Sequence, residues 1–213
     1  MPYTTLVAGT TITASWANAN VRDQVVTPHA SAGARTSAVS SPVAGMVSYI
    51  TGTKQLEPYD GSAWVPANGT LLAYGQRVSD KTFSGTELGV LRLDSISCRT
   101  GYRYMVMTSN LRLNVTSGET GKANLRYSTS GSAGTSDTVL ITMESNANSA
   151  FAPNQSHVMC CSIAPGTVTL SVLLTVARAG GSNNVTMTGS ATQPIELYVF
   201  MAGPDPTDTG VDI

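Results

Sequence analysis

Two carboxylates flanking a scissile bond are enough for glycoside cleavage, and Asp80, Glu87, Asp94, Glu119, Asp137 and Glu144 supply the residue type. All six fall at or near the ends of expected strands and in turns, where charges are normally solvated. The chain has two histidines: His29 sits beside Pro28 and His157 opens a strand. Neither lies near a serine or cysteine in a nucleophile elbow, and no Gly-x-Ser-x-Gly occurs. Cys98, Cys160 and Cys161 lack the spacing of a zinc site, and neighbours such as Cys160 and Cys161 point to opposite faces of a strand. Three cysteines also make no disulfide framework, so they read as small buried hydrophobes. The glycine-rich stretches carry no Lys-Ser/Thr to hold phosphate. Asp205, Asp208 and Asp212 are spread through Pro, Thr and Gly and read as a solvated tail over 204–213, not a calcium loop. The expectation is a protein without catalytic residues, cofactor or metal.

The elements that would position such residues follow from composition and period. Of the 213 residues 41% are hydrophobic, enough for a core, but only 12% are charged, against about 25% in an ordinary domain. Ser, Thr, Asn and Gly must therefore make the polar surface, a composition suited to subunits that meet, because fewer charges are desolvated. With a net charge of −1 and no basic cluster, no nucleic-acid partner is expected. No run approaches the ~20 apolar residues that cross a bilayer, so no membrane insertion is expected. Met1-Pro2-Tyr3-Thr4-Thr5 lacks the basic start and apolar run of a signal peptide, which predicts synthesis in a cytoplasm.

Three zones precede the tail. In residues 1–35, Thr13 is the expected N-cap of a short helix reaching Val26 and stopped by Pro28. Ala14, Ala17, Val21 and Val25 form one stripe, with Trp16 on roughly the opposite face. A helix this short is not stable alone in water. Its flanks, Ala8–Thr11 and Ser31–Ala34, read as flexible linker, so the zone reads as an anchoring arm with Trp16, Ala17, Val21 and Val25 as its contacts. In residues 36–69, Gly45–Ile50 and Gln55–Asp60 make a small β-hairpin, with Pro58 confining the second strand to an edge. A lone hairpin is marginal, and copies of itself around an axis are its expected partners, through Met46, Tyr49, Tyr59 and Trp64.

Residues 70–203 alternate as strands do: Val139, Ile141 and Met143; Val168 to Val176 at even numbers; Ile195 to Met201 at odd numbers. Weaker strands are expected over 70–78, 90–98, 122–128, 157–163 and 185–188. Across 102–116 the apolar phase switches from even (Tyr102, Tyr104, Val106) to odd (Leu111, Leu113, Val115). Period two cannot change phase without an extra residue, so a bulge or bend belongs near Ser109-Asn110. On the strand near His157, Met159, Cys161 and Ile163 are expected inward and Val158, Cys160 and Ser162 outward. With turns at Ser117-Gly118, Ser130-Gly131, Pro165-Gly166 and Gly180–Asn183, the expected fold is all-β: a C-terminal jelly-roll β-sandwich preceded by a short helical arm and a small β-hairpin module.

The run Ala8–Asn18 followed by Val21-Arg22-Asp23-Gln24-Val25 resembles the N-terminus of minor structural proteins of tailed bacteriophages. So does the pairing of Ser41-Pro42-Val43-Ala44-Gly45-Met46-Val47 with Tyr59-Asp60-Gly61-Ser62-Ala63-Trp64. The resemblance covers roughly residues 8–66; Pro58 stands where an apolar strand residue is expected. It implies a virion component of the tail-fibre, minor-tail or head-spike type: the arm grips other virion proteins, a small β module serves as neck, and a distal domain adheres to the host surface or reinforces the particle. A homotrimer is the expected assembly and a host-surface glycan a candidate partner. Head decoration is the alternative within this class, and a carbohydrate-active β-sandwich enzyme the alternative from another.

Overall fold

The phase change in residues 102–116 organises half of the sandwich. Strand β7 (Tyr102–Ser109) buries Tyr104, Val106 and Thr108, whereas Leu111, Leu113 and Val115 are buried immediately after it. The switch falls on Asn110, whose φ of 53° is left-handed, a conformation that asparagine tolerates better than most residues. One residue thus turns the chain from the main sheet into the short strand β8 (Leu113–Asn114) while keeping its apolar side inward. The structure, a computed structural model, describes residues 8–9, 11–20, 26–115, 118–146 and 156–205, in two units, Met1–Ala67 and Asn68–Ile213.

In the first unit, helix α1 covers Ala14–Asn20, and Trp16 N donates to Thr13 Oγ1 at 3.1 Å, the expected cap. Residues 21–25, with Val21 and Val25 of the expected stripe, lie outside the described residues. Strand β1 (Thr27–His29) pairs parallel with β2 (Val47–Ile50), which pairs antiparallel with β3 (Gln55–Pro58). The order β1-β2-β3 leaves Pro58 on an edge strand, as expected. The segment Ser31–Ala34, read as linker, is instead the start of helix α2 (Ala32–Ala38): Ser31 Oγ accepts from Ala34 N at 3.1 Å. What secures this short helix is Arg35, which is buried, pairs with Glu57 of β3 and lies 4.6 Å over the Trp64 ring. Small residues and serine suit a linker and a capped helix equally, and only that long-range contact decides between them.

The turn Tyr59–Trp64 explains its own composition. Asp60 Oδ1 accepts from the backbone N–H groups of Ser62 and Ala63, both at 2.8 Å, and Gly61 takes a φ of 102°. Tyr59 and Trp64 then pair as a bridge with ring centroids 5.3 Å apart.

Among the described residues the second unit holds eight main strands: β4 (Leu71–Arg77), β6 (Leu88–Ser97), β7, β9 (Thr120–Ser128), β10 (Thr138–Asn146), β11 (Cys160–Ile163), β12 (Thr169–Gly180) and β14 (Ile195–Pro204). They form two four-stranded sheets, β10-β9-β12-β6 and β11-β7-β14-β4. The chain crosses between the sheets at every step except the β9–β10 hairpin, which is the winding of a jelly roll. A third, small sheet joins β5 (Lys81–Phe83), β13 (Val185–Met187) and β8. The sequence pattern gives no sign of β5, because three residues carry no readable alternation. Leu125, Leu170, Val172, Leu174 and Val176 from one sheet meet Tyr104, Val106, Leu197, Val199 and Met201 from the other in a single core. Each such side chain contributes roughly 1.5–3 kcal/mol by leaving water. The buried Tyr104 hydroxyl is satisfied by Arg99 N at 2.7 Å.

Strand β12 is buried on both sides. Its even-numbered residues face the core, but Ser171, Leu173 (6% exposed), Thr175 (0%) and Ala177 are covered too. The cover is polar. Glu87 accepts from Arg126 through both carboxylate oxygens (2.6 and 2.8 Å), from Asn124 Nδ2 at 3.0 Å and from the Thr175 hydroxyl. Arg126 also donates to the Asp137 carbonyl, and Asn124 Oδ1 accepts from Thr142 at 2.7 Å. Burial raises the pKa of Glu87, but the hydrogen bonds from Arg126, Thr175 and Asn124 outweigh it and hold the carboxyl at about 2. A carboxyl depressed in the folded state stabilises fully above its unfolded pKa, and that contribution is lost as pH falls toward the folded value. Thermal unfolding of the wild type is therefore expected to lose on the order of 1 kcal/mol more between pH 5 and pH 2 than unfolding of Glu87→Gln, the figure being small because the pair is partly solvated. Parallel pH profiles for the two proteins would remove Glu87 from the account of acid stability.

Candidate functional site

The outer face of the second sheet, β11-β7-β14-β4, carries no comparable cover. Because Ile195, Leu197, Val199 and Met201 fill the core, β14 must aim Glu196, Tyr198 and Phe200 outward. Register aligns these with their neighbours in rows. Tyr198 stands between Tyr74 and Met107, with exposed Cys160 beyond Met107. A bulge between Val199 and Phe200 sets Phe200 opposite Leu71 on one side and Met105 on the other. Tyr74 is 44% exposed and Leu71 43%. The rings form a ladder, with centroids 5.2 Å apart for Tyr74–Tyr198 and 5.8 Å for Tyr198–Phe200, the latter stacked within 18°. Such pairs add about 0.5–1.5 kcal/mol beyond burial, which keeps the surface flat and ordered.

A polar row closes one end of this band. The Tyr74 hydroxyl lies 2.9 Å from Gln76 Oε1 and 3.1 Å from Glu196 Oε1, and Ser109 donates to Glu196 Oε2. Hydrogen bonds from Ser109 and Tyr198 hold the Glu196 carboxyl below the usual range. Desolvation, then the neighbouring Glu196, raises Tyr74 and Tyr198. The row is thus a fixed anionic margin beside an apolar, sulfur-rich band. Such a surface can bury itself against another protein; among the described residues it offers no nucleophile–base pair and no metal cluster.

The residues named from sequence fall elsewhere. Trp16 and Ala17 are half-buried on α1, while Val21 and Val25 lie outside the described residues. Met46 is buried within its own unit, its carbonyl accepting from Tyr59 N at 2.8 Å. Tyr49 is half-buried on β2. Tyr59 and Trp64 are brought together, with Arg35 over the indole. The aromatic ladder of Tyr74, Tyr198 and Phe200 is not among them, although its signal is in the pattern: aromatic residues occupy the outward phase of a strand whose inward phase is already apolar. Five of the six candidate carboxylates accept structural hydrogen bonds, Glu87 from Arg126, Asp94 from Ser171 and Arg92, Glu119 from Ser182 N and Asn183 N, Asp137 from Gly134 N, and Asp80 from Gly189 N, while Glu144 stands on β10.

The cysteines report on the same face. Met159 is buried, Val158 is 63% exposed, Cys160 is exposed and Cys161 is half-buried, so β11 has the expected phase. Burial pushes the Cys161 and Cys98 thiols up to about 11. Thiol labelling of the native chain is expected to modify Cys160 first and the other two at least tenfold more slowly, as burial in apolar surroundings disfavours the thiolate. Faster reaction at Cys161 would reverse the two faces of β11.

No family model matches the chain, and no curated protein matches it either. Solved structures with a similar strand arrangement include the N-terminal CBM22-1–GH10 modules of xylanase 10B from Clostridium thermocellum, at 9% identity and a TM-score of 0.34. That match covers 68% of this chain and 30% of the xylanase chain. The carbohydrate-binding module CBM6cm-2 of lichenase 5A from Cellvibrio mixtus matches at 11% identity and a TM-score of 0.29, over 62% of this chain and 98% of the module. The VP2 subviral particle of infectious bursal disease virus matches at 11% identity and a TM-score of 0.33, over 67% of this chain and 41% of VP2. At such identities the likeness concerns architecture alone.

Proposed function

We propose that the chain is a non-enzymatic structural component of a phage virion, of the minor-tail or fibre type, whose jelly roll serves host-surface adhesion or particle reinforcement. In this reading the N-terminal arm contacts other virion proteins, and copies of the chain associate, as a homotrimer, through the uncovered aromatic sheet face. The carrying observation is the asymmetry of the sandwich. One sheet covers the outer side of its central strand β12 with its own Glu87–Arg126 clamp, leaving Leu88 and Val139 exposed toward its margins, while the other carries a continuous band of exposed Leu71 and Tyr74 and half-buried Tyr198 and Phe200 beside two methionines. The resemblance over residues 8–66 supports the virion assignment and favours the tail over head decoration. Engagement of Glu87, Glu119 and Asp137 in structural hydrogen bonds favours binding over the rival reading of a carbohydrate-active enzyme.

The size of the face sets the strength of the contact. Four strands about 4.8 Å apart and three residue rows span on the order of 400 Å², which each copy of a trimer divides between two neighbours, so no pair buries more than about 800 Å² through this face. That lies below the ~1,200–2,000 Å² of stable complexes, so a single contact is weak and a second attachment must raise its effective concentration. Sedimentation velocity on the full-length chain at micromolar concentration is expected to show the trimer. Tyr198→Lys is expected to keep the β fold by circular dichroism and to weaken association at least tenfold, because the central ring of the ladder is lost and a strongly hydrated ammonium must be desolvated in its place. A monomeric wild type, or a Tyr198→Lys protein that associates normally, would overturn self-assembly through this face.

A further inference from the structure

Strand β6 carries an irregularity that the sandwich does not need. It pairs Leu93 with Val172 and Ile96 with Leu170, spending three steps where β12 spends two. The extra residue is a bulge at Asp94-Ser95, and Ser95 adopts a φ of 61°. Few non-glycine residues hold this left-handed conformation; bulges re-aim side chains. Here the bulge turns both Asp94 and Ser95 to the surface.

The turned-out carboxylate is held on two sides. Buried Ser171 donates to Asp94 Oδ1 at 2.6 Å and accepts from Ala133 N at 2.8 Å, tying loop 129–137 to the strand. Arg92 Nε donates to Asp94 Oδ2 at 2.9 Å. Between bulge and loop lies a cleft of about 430 Å³ lined by Asp94, Ser95, Thr129, Ser130, Ser132 and Thr169, within the ~300–1,000 Å³ of small-molecule sites. Leu170 is its one large apolar wall residue.

This lining selects a ligand class. Arg92 and Asp94 cancel in charge, so the site holds neither an anion nor a cation strongly, and the scarcity of apolar wall disfavours a hydrophobic ligand. Hydroxyls that donate or accept, beside a planar carboxylate, complement a molecule bearing several neutral hydroxyl groups. We propose that the cleft at the β6 bulge is a binding site for a neutral saccharide, with Asp94 accepting from a pair of its hydroxyls and the lining Ser and Thr hydroxyls donating to its oxygens, while Arg92 holds the Asp94 carboxylate in place. The inference rests on the adhesion half of the reading above and names the ligand class. Binding per site is weak and gains from several copies acting together.

The test uses the full-length chain on a printed array of neutral and acidic oligosaccharides, then solution titration of the best-bound neutral oligosaccharide. Wild type is expected to bind neutral oligosaccharides. Asp94→Asn, and Thr169→Trp, which fills the cleft without removing the Asp94 contacts, are expected to lower per-site affinity at least tenfold with unchanged melting. Tyr198→Lys is expected to leave per-site affinity in solution unchanged, which separates failure of the site from failure of self-assembly. If Asp94→Asn does not fold, Thr169→Trp decides. Absence of neutral-oligosaccharide binding, preference for acidic oligosaccharides alone, or full affinity in Thr169→Trp would each overturn the site, whatever the oligomeric state.

Discussion

A pleated strand that fills a core with every second residue must aim the residues between them outward, and a two-sheet sandwich therefore has two outer faces to account for. In this chain the two sheets meet that constraint differently. Strand β12 hides its outward residues under a clamp in which Glu87, Arg126, Asn124 and Thr175 satisfy one another. Strand β14, equally well packed inward, leaves Tyr198 and Phe200 in a ladder with Tyr74. Both faces belong to one fold, but only one has its central strand covered by polar groups of its own chain, and only the other presents a continuous aromatic band.

The first unit answers the same problem on a smaller scale. A three-stranded sheet with one short helix has little core, and it gathers what it has around Arg35, whose guanidinium meets Glu57 and the Trp64 ring together. A buried pair of this kind holds geometry more than it adds stability. It orients α2 on the hairpin and fixes the Tyr59–Trp64 turn. That use of Tyr59 and Trp64 within one chain leaves the sandwich face, more than the hairpin, as the larger surface open to other molecules.

Local features were legible in the sequence. The phase switch at Asn110, the edge position of Pro58, the cap at Thr13 and the inward side of Cys161 each follow from period or backbone chemistry over a few residues. Features decided across long separations were not. Helix α2 depends on Arg35 reaching Glu57, the burial of Thr175 on Glu87 reaching across from the residue before β6, and the Asp94-Ser95 bulge on its mismatch with β12. The aromatic face stands between these cases: the outward phase of Tyr198 is readable, but its alignment with Tyr74 and Met107 needs the strand order.

Copies of this chain are proposed to meet through the aromatic sheet face. Carbene footprinting of the full chain, read by mass spectrometry in dilute and in concentrated solution, tests this most directly. Tyr74, Met105, Met107, Tyr198 and Phe200 are expected to lose label as concentration rises, while Leu88 and Val139, exposed on the other sheet, keep theirs. Unchanged label on the aromatic face, or a loss spread evenly over both sheets, would contradict the claim.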